Sequence, residues 1–464
     1  GGTQTILLGA VDERPIAAFP NGMVSTSMQG GCTCENCSLL RIGTGNVELA
    51  ALFAPRPQAM TAVNDWTKEM MSKGYPQLQQ LYGMLGVPDD VLCVEMMQYP
   101  HNYNAATRKI MYEWMNRYLR LGLSEPISEQ DWEPLTPEEY TVWDEQHPAP
   151  PGGDDYERRL LRQLTDRDDA ALRHHRPQTD QDLQNYRTTV QAAWQTLVGR
   201  SRPKSTDIQR TKGWKEERPG YLEFGDLITL TPHEEQLPVI SLYPKSTAWN
   251  QKVVLWIDGR GKEGLFPSGS LHPEAQRLVS AGYSVVGVDL FGQGEFTTNR
   301  EPLTENPLVK NPRQFAGFTY CYNDTVFARR VHDVLTATAW VNGDEHKPQA
   351  LYAVGTNGGG AILAAARAIV GSEIRAAAID TNGFRFDSLT DWKDAQFLPG
   401  AVKYGDVPTL LSLSSPHRLW IGGEAAIPEI VAQCYRADGS PETVATVADA
   451  ADRTRAAVDW LIGQ

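Results

Sequence analysis

The sequence predicts a tandem of two α/β domains with doubly wound, mostly parallel sheets, the first of which lacks its N-terminal half in this chain. Two observations lead to this fold class. Apolar runs of strand length alternate with helical stretches in the later part of the chain, which is typical of parallel strands joined by helices. The chain also repeats itself at a spacing of 361 residues, with three features that recur: Arg14 as Arg375, Asn21-Gly22 as Asn382-Gly383, and Pro55 as Pro416.

The later copy carries a full set of α/β elements in order. Buried parallel strands are predicted at residues 253–257 and 283–289, with a helix at 273–281 between them. A helix at 325–341 then leads to a strand at 350–354, a glycine-rich turn and an alanine-rich helix at 361–370. The similarity near the ends of the copies, Thr107-Arg108 against Thr454-Arg455, has a spacing of 347, so the second copy has lost about fourteen residues.

The earlier copy starts where the later one has already reached its glycine-rich turn. We expect its first strand at residues 47–53, running out towards Asp65, and a second strand at 91–97, ending before His101. The segment between the copies is rich in proline and in charge, which breaks and solvates structure. The predicted domains are therefore residues 1–122, a linker with a charged helical part at 123–215, and a second domain at 216–464.

Asp65 and His101 are the candidate catalytic residues of the first copy. Side chains at the carboxyl ends of parallel strands meet at the edge of the sheet where ligands bind. The order of strand, acid, helix, strand and histidine is the closing order of an α/β-hydrolase, whose nucleophilic serine comes earlier in the chain. Taken singly, Asp65 also suits a helix cap and His101 a turn, but together they favour a histidine base oriented by an acid.

The first copy resembles a bacterial group of α/β hydrolases similar to acetylxylan esterases and dienelactone hydrolases, some of them tandem. That group has a G-x-S-G-G-G-T-Q-T nucleophile elbow, so the resemblance implies a serine just before Gly1 and carboxylic-ester hydrolysis, with an ester-bearing small molecule or polysaccharide as substrate. Another segment or chain is then expected to complete the first domain. The resemblance rests on these motifs: Gly1-Gly2-Thr3-Gln4-Thr5, residues 29–36, residues 46–57, Asp65-Trp66-Thr67 and Pro100-His101-Asn102-Tyr103-Asn104.

The second copy is predicted to be a degenerate, non-catalytic hydrolase domain. Its turn at residues 355–360 has the context of a nucleophile elbow, but the nucleophile position holds Asn357. An amide does not become an acyl-accepting oxygen nucleophile as a serine does. Glu424 is a candidate acid after a strand, yet the last histidine of the chain, His417, precedes it.

Composition excludes several other functions. The net charge of -14 would repel a phosphate backbone, so we expect no nucleic-acid partner. No apolar run is long enough to predict a membrane span. Cys32, Cys34 and Cys37 lack the spacing of paired zinc knuckles, so we expect no metal and no cofactor. A disulfide or packing thiols fit them better, and a disulfide would favour a periplasmic or secreted protein.

Two other functions fit the same sequence. A prolyl-oligopeptidase-like peptidase shares the fold and a glycine-rich elbow, although no gating domain is evident in the sequence. A non-catalytic carbohydrate-binding or assembly protein built from two inactive hydrolase domains is the third interpretation. The acyl group, the sugar and the oligomeric state are not determined by the sequence.

Overall fold

The structure is a computed structural model that describes residues 1–310, 315–447 and 452–464. The chain divides into two compact units. Unit 1 comprises Gly1–Pro151 with Val309–Asn323, and unit 2 comprises Gly152–Leu308 with Asp324–Gln464. Within the described ranges, every helix is too short or too polar to span a lipid bilayer.

The elements alternate along the chain as expected for an α/β protein. The helices are α1 Gly2–Val11, α2 Asn46–Ala51, α3 Tyr75–Met84, α4 Ala105–Leu119, α5 Pro137–Tyr140, α6 Asp154–His174, α7 Asp180–Val198, α8 Pro273–Ser280, α9 Ala316–Tyr320, α10 Val326–Asn342, α11 Gly360–Val370, α12 Asp406–Ser412, α13 Glu429–Ala437 and α14 Arg453–Ile462. The strands are β1 Gln58–Val63, β2 Val91–Met96, β3 Ile208–Arg218, β4 Tyr221–Leu230, β5 Glu235–Pro244, β6 Lys252–Asp258, β7 Ser284–Val288, β8 Ala350–Thr356, β9 Ala376–Asp380, β10 Arg418–Gly422 and β11 Val444–Val447.

Unit 1 has three layers around a small parallel sheet. Strands β1 and β2 pair in parallel, with Gln58 opposite Val91, and Ala18 bridges to Gln58 on the other side of β1. One face of the sheet is covered by α1, α2 and α3, which bury Ile6, Val47, Leu78 and other apolar side chains. Helix α4 covers the opposite face with Trp114. The alternation of side chains along β1 supplies both faces, so the strand is buried throughout.

Unit 2 contains a nine-stranded sheet in the order β11-β10-β9-β8-β6-β7-β5-β4-β3. The strands from β11 to β7 pair in parallel with one another, whereas β5 pairs antiparallel with β7, and β4 and β3 continue the antiparallel pairing to the edge. Helices α8 and α14 pack on one face, where Trp256 and Trp420 are buried, and α7, α10 and α11 pack together. This mixed α/β unit with a large, mostly parallel sheet is consistent with an α/β-hydrolase-like fold.

Most elements predicted for the later copy are confirmed. The strands expected at 253–257, 283–289 and 350–354 are β6, β7 and β8. The helices expected at 273–281, 325–341 and 361–370 are α8, α10 and α11. The sequence indicates such buried strands by short apolar runs that are bounded by turn residues.

The strand expected at residues 47–53 is wrong, because that segment forms helix α2. Its buried residues are Asn46, Val47, Leu49 and Ala50, which form two pairs three residues apart, as on one face of a helix, and Glu48 is exposed. Glu48 Oε2 also accepts a hydrogen bond from the backbone N–H of Gly45, which satisfies a donor at the helix start. The strand that leads to Asp65 is β1, Gln58–Val63.

The segment expected to be a linker contributes to unit 2. Helix α7 buries Leu183, Tyr186, Val190 and Trp194 almost completely, and β3 extends the sheet beyond β4. The sequence pattern missed this because the strongly charged helix α6 precedes α7, and because polar residues separate the apolar positions of α7. Unit 1 in turn extends beyond residue 122 to Pro151 and takes in residues 309–323.

Candidate active site

The two predicted catalytic residues of the first copy follow neighbouring strands. Asp65 comes two residues after the end of β1, and His101 comes five residues after the end of β2. Because β1 and β2 are parallel, both side chains lie at the same, carboxyl-terminal edge of the sheet. This is the edge at which ligands bind in open α/β sheets.

The structure brings Asp65 and His101 into direct contact. Nδ1 of His101 lies 2.8 Å from Oδ2 of Asp65. The side chain of Asp65 is only 5% exposed, whereas that of His101 is 54% exposed. In the neutral imidazole whose Nδ1–H donates to the carboxylate, Nε2 is the acceptor. The pair therefore presents one basic nitrogen to the surroundings.

Thr67 fixes the carboxylate of Asp65 from the opposite side. The backbone N–H and the Oγ1 hydroxyl of Thr67 both donate to Oδ1 of Asp65, at 2.7 and 2.6 Å. Thr67 Oγ1 in turn accepts a hydrogen bond from the N–H of Val63 at 3.0 Å. Each carboxylate oxygen thus has its own partner, so the orientation of Asp65 is determined by the backbone that ends β1.

Trp66 and Gly22 hold the imidazole ring of His101. The ring of Trp66 lies 4.4 Å from that of His101, and its Nε1 donates to the carbonyl oxygen of Gly22 at 2.9 Å. Gly22 has a φ of +68°, and a Cβ atom at this position would come within 2.9 Å of Cε1 of His101. Only glycine combines this backbone conformation with such a close approach.

A cavity of about 930 Å³ opens beside His101. Its lining includes Gly1 and Gly2 at the start of α1, together with Tyr103 and Glu35. The first backbone N–H groups of a helix have no partner within the helix, and they favour negative charge. The cavity therefore joins a basic nitrogen to the amino end of a helix.

Sequence reasoning missed the supporting residues of this site. The sequence analysis gives Thr67 no role beyond its place in the motif Asp65-Trp66-Thr67. A hydroxyl two residues after an aspartate is nevertheless a recurrent local hydrogen-bond pattern. Gly22 belongs to the repeated Asn-Gly pair, which was a signal of a turn but not of contact with His101. The ring contact of Trp66 had no sequence signal, because it depends on two loops meeting.

The cysteine side chains that the structure describes do not form a metal site. No group of three or more metal-ligating side chains is found among the residues whose side chains the structure describes. Cys37 is an exposed thiol and Cys321 a buried one, and the side chain of Cys34 lies outside the described part. Burial raises the pKa of the Cys321 thiol, which makes it a poor nucleophile near neutral pH.

The predicted degenerate elbow of unit 2 is a sharp turn between a strand and a helix, and it carries the amide side chain of Asn357. Asn357 follows β8, precedes α11 and has a φ of +49°. Its Nδ2 donates to Oδ2 of Asp258 at 2.8 Å. Gly259 packs so closely that a Cβ there would come within 1.9 Å of the carbonyl oxygen of Asn357. The amide is thus held by a buried carboxylate.

The other two candidate positions of unit 2 do not join Asn357. Glu424 is buried, accepts a hydrogen bond from Thr381 Oγ1 and forms a two-point ion pair with Arg385, at 2.8 and 2.6 Å. His417 precedes β10, so it lies at the opposite end of that strand from Glu424. The stretch between β11 and α14, where a counterpart of His101 is missing from the sequence, includes residues 448–451, which lie outside the described residues.

No protein-family model matches the chain, and no curated protein matches it. Solved structures similar to it are esterases. One, described as a candidate acetyl xylan esterase from Bacteroides fragilis, has 16% identity and a TM-score of 0.45, and the match covers 60% of this chain and 80% of that one. A methylesterase has 14% identity and a TM-score of 0.44, with 63% and 66% covered. A glucuronoyl esterase from Teredinibacter turnerae has 12% identity and a TM-score of 0.41, with 61% and 84% covered.

Proposed function

We propose that unit 1 is the catalytic part of a serine carboxylic-ester hydrolase in which His101 is the general base and Asp65 orients it. The observation that carries this proposal is the 2.8 Å contact of a half-exposed histidine with a buried aspartate, beside a cavity that the start of α1 also lines. A base whose second nitrogen is held by a fixed carboxylate is the arrangement that activates a hydroxyl nucleophile.

The nucleophile in this proposal is a serine within a few residues before Gly1. In unit 2 the elbow residue Asn357 stands three residues before the first residue of α11, Gly360. Helix α1 starts at Gly2, so the same spacing in unit 1 corresponds to a position just before Gly1. The motif Gly1-Gly2-Thr3-Gln4-Thr5, which resembles the end of an esterase elbow, supports the same position.

The chemistry follows from these positions. Nε2 of His101 takes the proton of the serine hydroxyl as its oxygen attacks the ester carbonyl carbon. The tetrahedral intermediate breaks the bond to the alcohol, which leaves with the proton from His101. Water then attacks the acyl-serine and gives its proton to His101. The bond to the serine oxygen breaks, His101 returns the proton to that oxygen, and the carboxylic acid is released. Asp65 stays ionised and stabilises the imidazolium in both steps, and the amino end of α1 favours the negative charge of the intermediates.

The substrate in this proposal is an acylated polysaccharide or a small ester, and unit 2 has no catalytic role of its own. The hydrogen bond of Asn357 to Asp258 and the ion pair of Glu424 with Arg385 support an inactive second site, since the partners that hold these two side chains are a carboxylate and a guanidinium and not an imidazole. The same order of helix, strand and helix at the end of each unit supports a tandem origin.

We further propose that another segment or another chain completes the sheet of unit 1. In unit 2, β9 lies between β10 and β8. The segment around Ala18 corresponds to β9 in the repeat, and the structure pairs it with β1 through a single bridge to Gln58. Nearby apolar side chains are exposed, with Val11 at 84% and Ile16 at 60%. Hydrogen exchange at residues 14–20 should slow in a polypeptide that includes the residues before Gly1 or in a complex with a completing chain, and unchanged exchange in both would contradict this proposal.

The esterase proposal is tested with a polypeptide that includes the residues before Gly1. We expect it to hydrolyse p-nitrophenyl acetate and to release acetate from acetylated xylan, but not to cleave a peptide anilide. The variant His101→Ala should lose the activity. His147→Ala is a matched control, because His147 also contacts an aspartate, Asp144, at 2.9 Å but lies outside the cavity.

Each outcome of this test has a distinct meaning. Peptide-anilide cleavage without ester turnover would favour a peptidase instead. Polysaccharide binding without any turnover, in a folded protein with a serine in the elbow, would favour a non-catalytic carbohydrate-binding protein. Equal loss of activity in His101→Ala and His147→Ala would remove the special role of His101.

A further inference from the structure

A second cavity, of about 710 Å³, lies in unit 2 at the sheet edge opposite to the elbow. Val253 near the start of β6 and Ser284 at the start of β7 belong to its lining, whereas Asn357 follows the end of β8. Since β6, β7 and β8 are parallel, the cavity and the elbow lie at opposite edges of the sheet. This cavity, which we call the aromatic groove, is therefore separate from any hydrolase active site.

Five aromatic side chains line the aromatic groove: Trp214, Phe224, Tyr243, Trp249 and Trp340. The rings of Tyr243 and Trp249 lie 5.6 Å apart. Trp214 stands at an irregularity in the pairing of β3 with β4, and its ring lies over Gly225, where a Cβ atom would come within 2.4 Å of it. Trp214 is 48% exposed. Its ring packs directly on the backbone of Gly225, because that residue has no side chain.

Polar side chains also line the aromatic groove. Asp344 and Glu345 belong to its lining, and Glu345 is exposed. Carboxylate oxygens accept hydrogen bonds, so these side chains can bond to the hydroxyl groups of a ligand in the groove.

The charges around the aromatic groove are balanced. Arg210, Lys212 and Lys215 contribute three positive charges, and three acidic side chains in the lining oppose them: Asp226, Asp344 and Glu345. Arg210 is paired with Asp226 at 2.6 Å, which further reduces the field. A groove without net charge does not select an anion or a cation, so its ligand is expected to be neutral.

We infer that the aromatic groove of unit 2 binds a neutral oligosaccharide. Sugar rings have apolar C–H faces, which stack on aromatic rings, and hydroxyl edges, which bond to polar groups such as Asp344 and Glu345. A hydrocarbon ligand would cover these carboxylates without bonding to them, and an acidic sugar chain would gain nothing from balanced charges. The volume lies in the usual range for ligand sites, about 300–1,000 Å³. The inference does not depend on ester hydrolysis, because binding needs neither Asp65 nor His101.

The test is calorimetric titration of the whole chain with xylohexaose, cellohexaose, mannohexaose and laminarihexaose, and with an oligogalacturonate as the charged counterpart. We expect at least one neutral hexasaccharide to bind and the oligogalacturonate to bind more weakly. Absence of binding by all four neutral probes, or tighter binding of the oligogalacturonate, would overturn the inference. So would binding of an apolar dye in the groove that the hexasaccharides fail to displace.

Two variants locate the binding to the groove. Trp214→Ala should weaken the association by about tenfold, because a stacking surface is lost. Trp249→Ala should weaken it to a similar degree, because Trp249 lines the groove beside Tyr243. Trp132→Ala, at a tryptophan of unit 1 that is 76% exposed, is the matched control and should bind as the parent does. Unchanged binding in both Trp214→Ala and Trp249→Ala would exclude the groove as the site.

Discussion

At the scale of single residues, Thr67 is the positioning residue of the candidate site. Its hydroxyl donates to Oδ1 of Asp65 while Nδ1 of His101 contacts Oδ2. Thr67→Val removes that donor and keeps the volume, so we expect kcat for ester hydrolysis to fall about tenfold or more, as the loss of a hydrogen bond to a charged group implies, with KM little changed. Thr67→Ser should restore most of the activity. A rise in KM without a change in kcat would contradict this role.

His332 gives a pH dependence to the stability of unit 2. It is almost fully buried, its Nε2 contacts the carbonyl oxygen of Val198 at 2.6 Å, and burial, with Arg200 nearby, lowers its pKa to about 4. The unfolded chain takes up the proton near pH 6.5 and the folded chain only near pH 4, so the free energy of unfolding falls as pH drops through that window, by about 3 kcal/mol at most.

The variant His332→Gln separates this contribution from that of the carboxylates. It keeps a donor towards Val198 but does not titrate, so the difference in unfolding free energy between the parent and the variant should change between pH 6.5 and 4 and stay constant above pH 7. Urea unfolding followed by tryptophan fluorescence at each pH measures it. A difference that is independent of pH would show that His332 is protonated equally in both states.

The residues of the candidate site were predictable from sequence to different degrees. Asp65 and His101 were predictable because each follows a strand, and because an acid followed by a histidine is the order in which these residues occur in α/β-hydrolases. Thr67, Trp66 and Gly22 were not assigned, because their roles are contacts between loops that only folding brings together. Asn357 is recognisable from its glycine-rich turn, whereas its contact with Asp258 depends on two separate loops and has no signal in the sequence.

At the scale of elements, α7 is expected to stabilise unit 2 although it lies in a charged segment. Leu183 in α7 is fully buried, whereas Leu161 in α6 is 57% exposed. Leu183→Ala should cost about 2–5 kcal/mol of unfolding free energy, and Leu161→Ala about 0.5 kcal/mol or less. Denaturant unfolding of both variants compares the same substitution in two helices. Equal effects would mean that α7 does not belong to the core of unit 2.

The contrast between β6 and α2 explains which elements sequence reasoning predicted. The apolar run of residues 253–257 is short and contains β-branched Val253, Val254 and Ile257, which favour a strand. Residues 47–53 are also apolar, but their helix is set by Glu48, which bonds back to Gly45, and by burial at a spacing of three. Short apolar runs leave helix and strand undecided, and tertiary contacts then determine the outcome.

At the scale of the whole molecule, one unit is expected to carry all the ester hydrolysis. Asn357→Ser would place a hydroxyl at the elbow of unit 2, but Asp258 is its neighbour there and no histidine follows Glu424 in the chain. We therefore expect Asn357→Ser to leave the rate of p-nitrophenyl acetate hydrolysis unchanged, and the double variant His101→Ala with Asn357→Ser to be inactive. Activity in the double variant would show a second working site.

The central claim is that Asp65 and His101 activate a serine that precedes Gly1, and covalent labelling tests it most directly. A polypeptide that includes the upstream residues is treated with a fluorophosphonate, which reacts with activated serines, and the adduct is located by peptide mass spectrometry. We predict one adduct per chain, on a serine within a few residues before Gly1, and its loss in His101→Ala. Labelling elsewhere, labelling that persists in His101→Ala, or no labelling of the folded protein would contradict the claim.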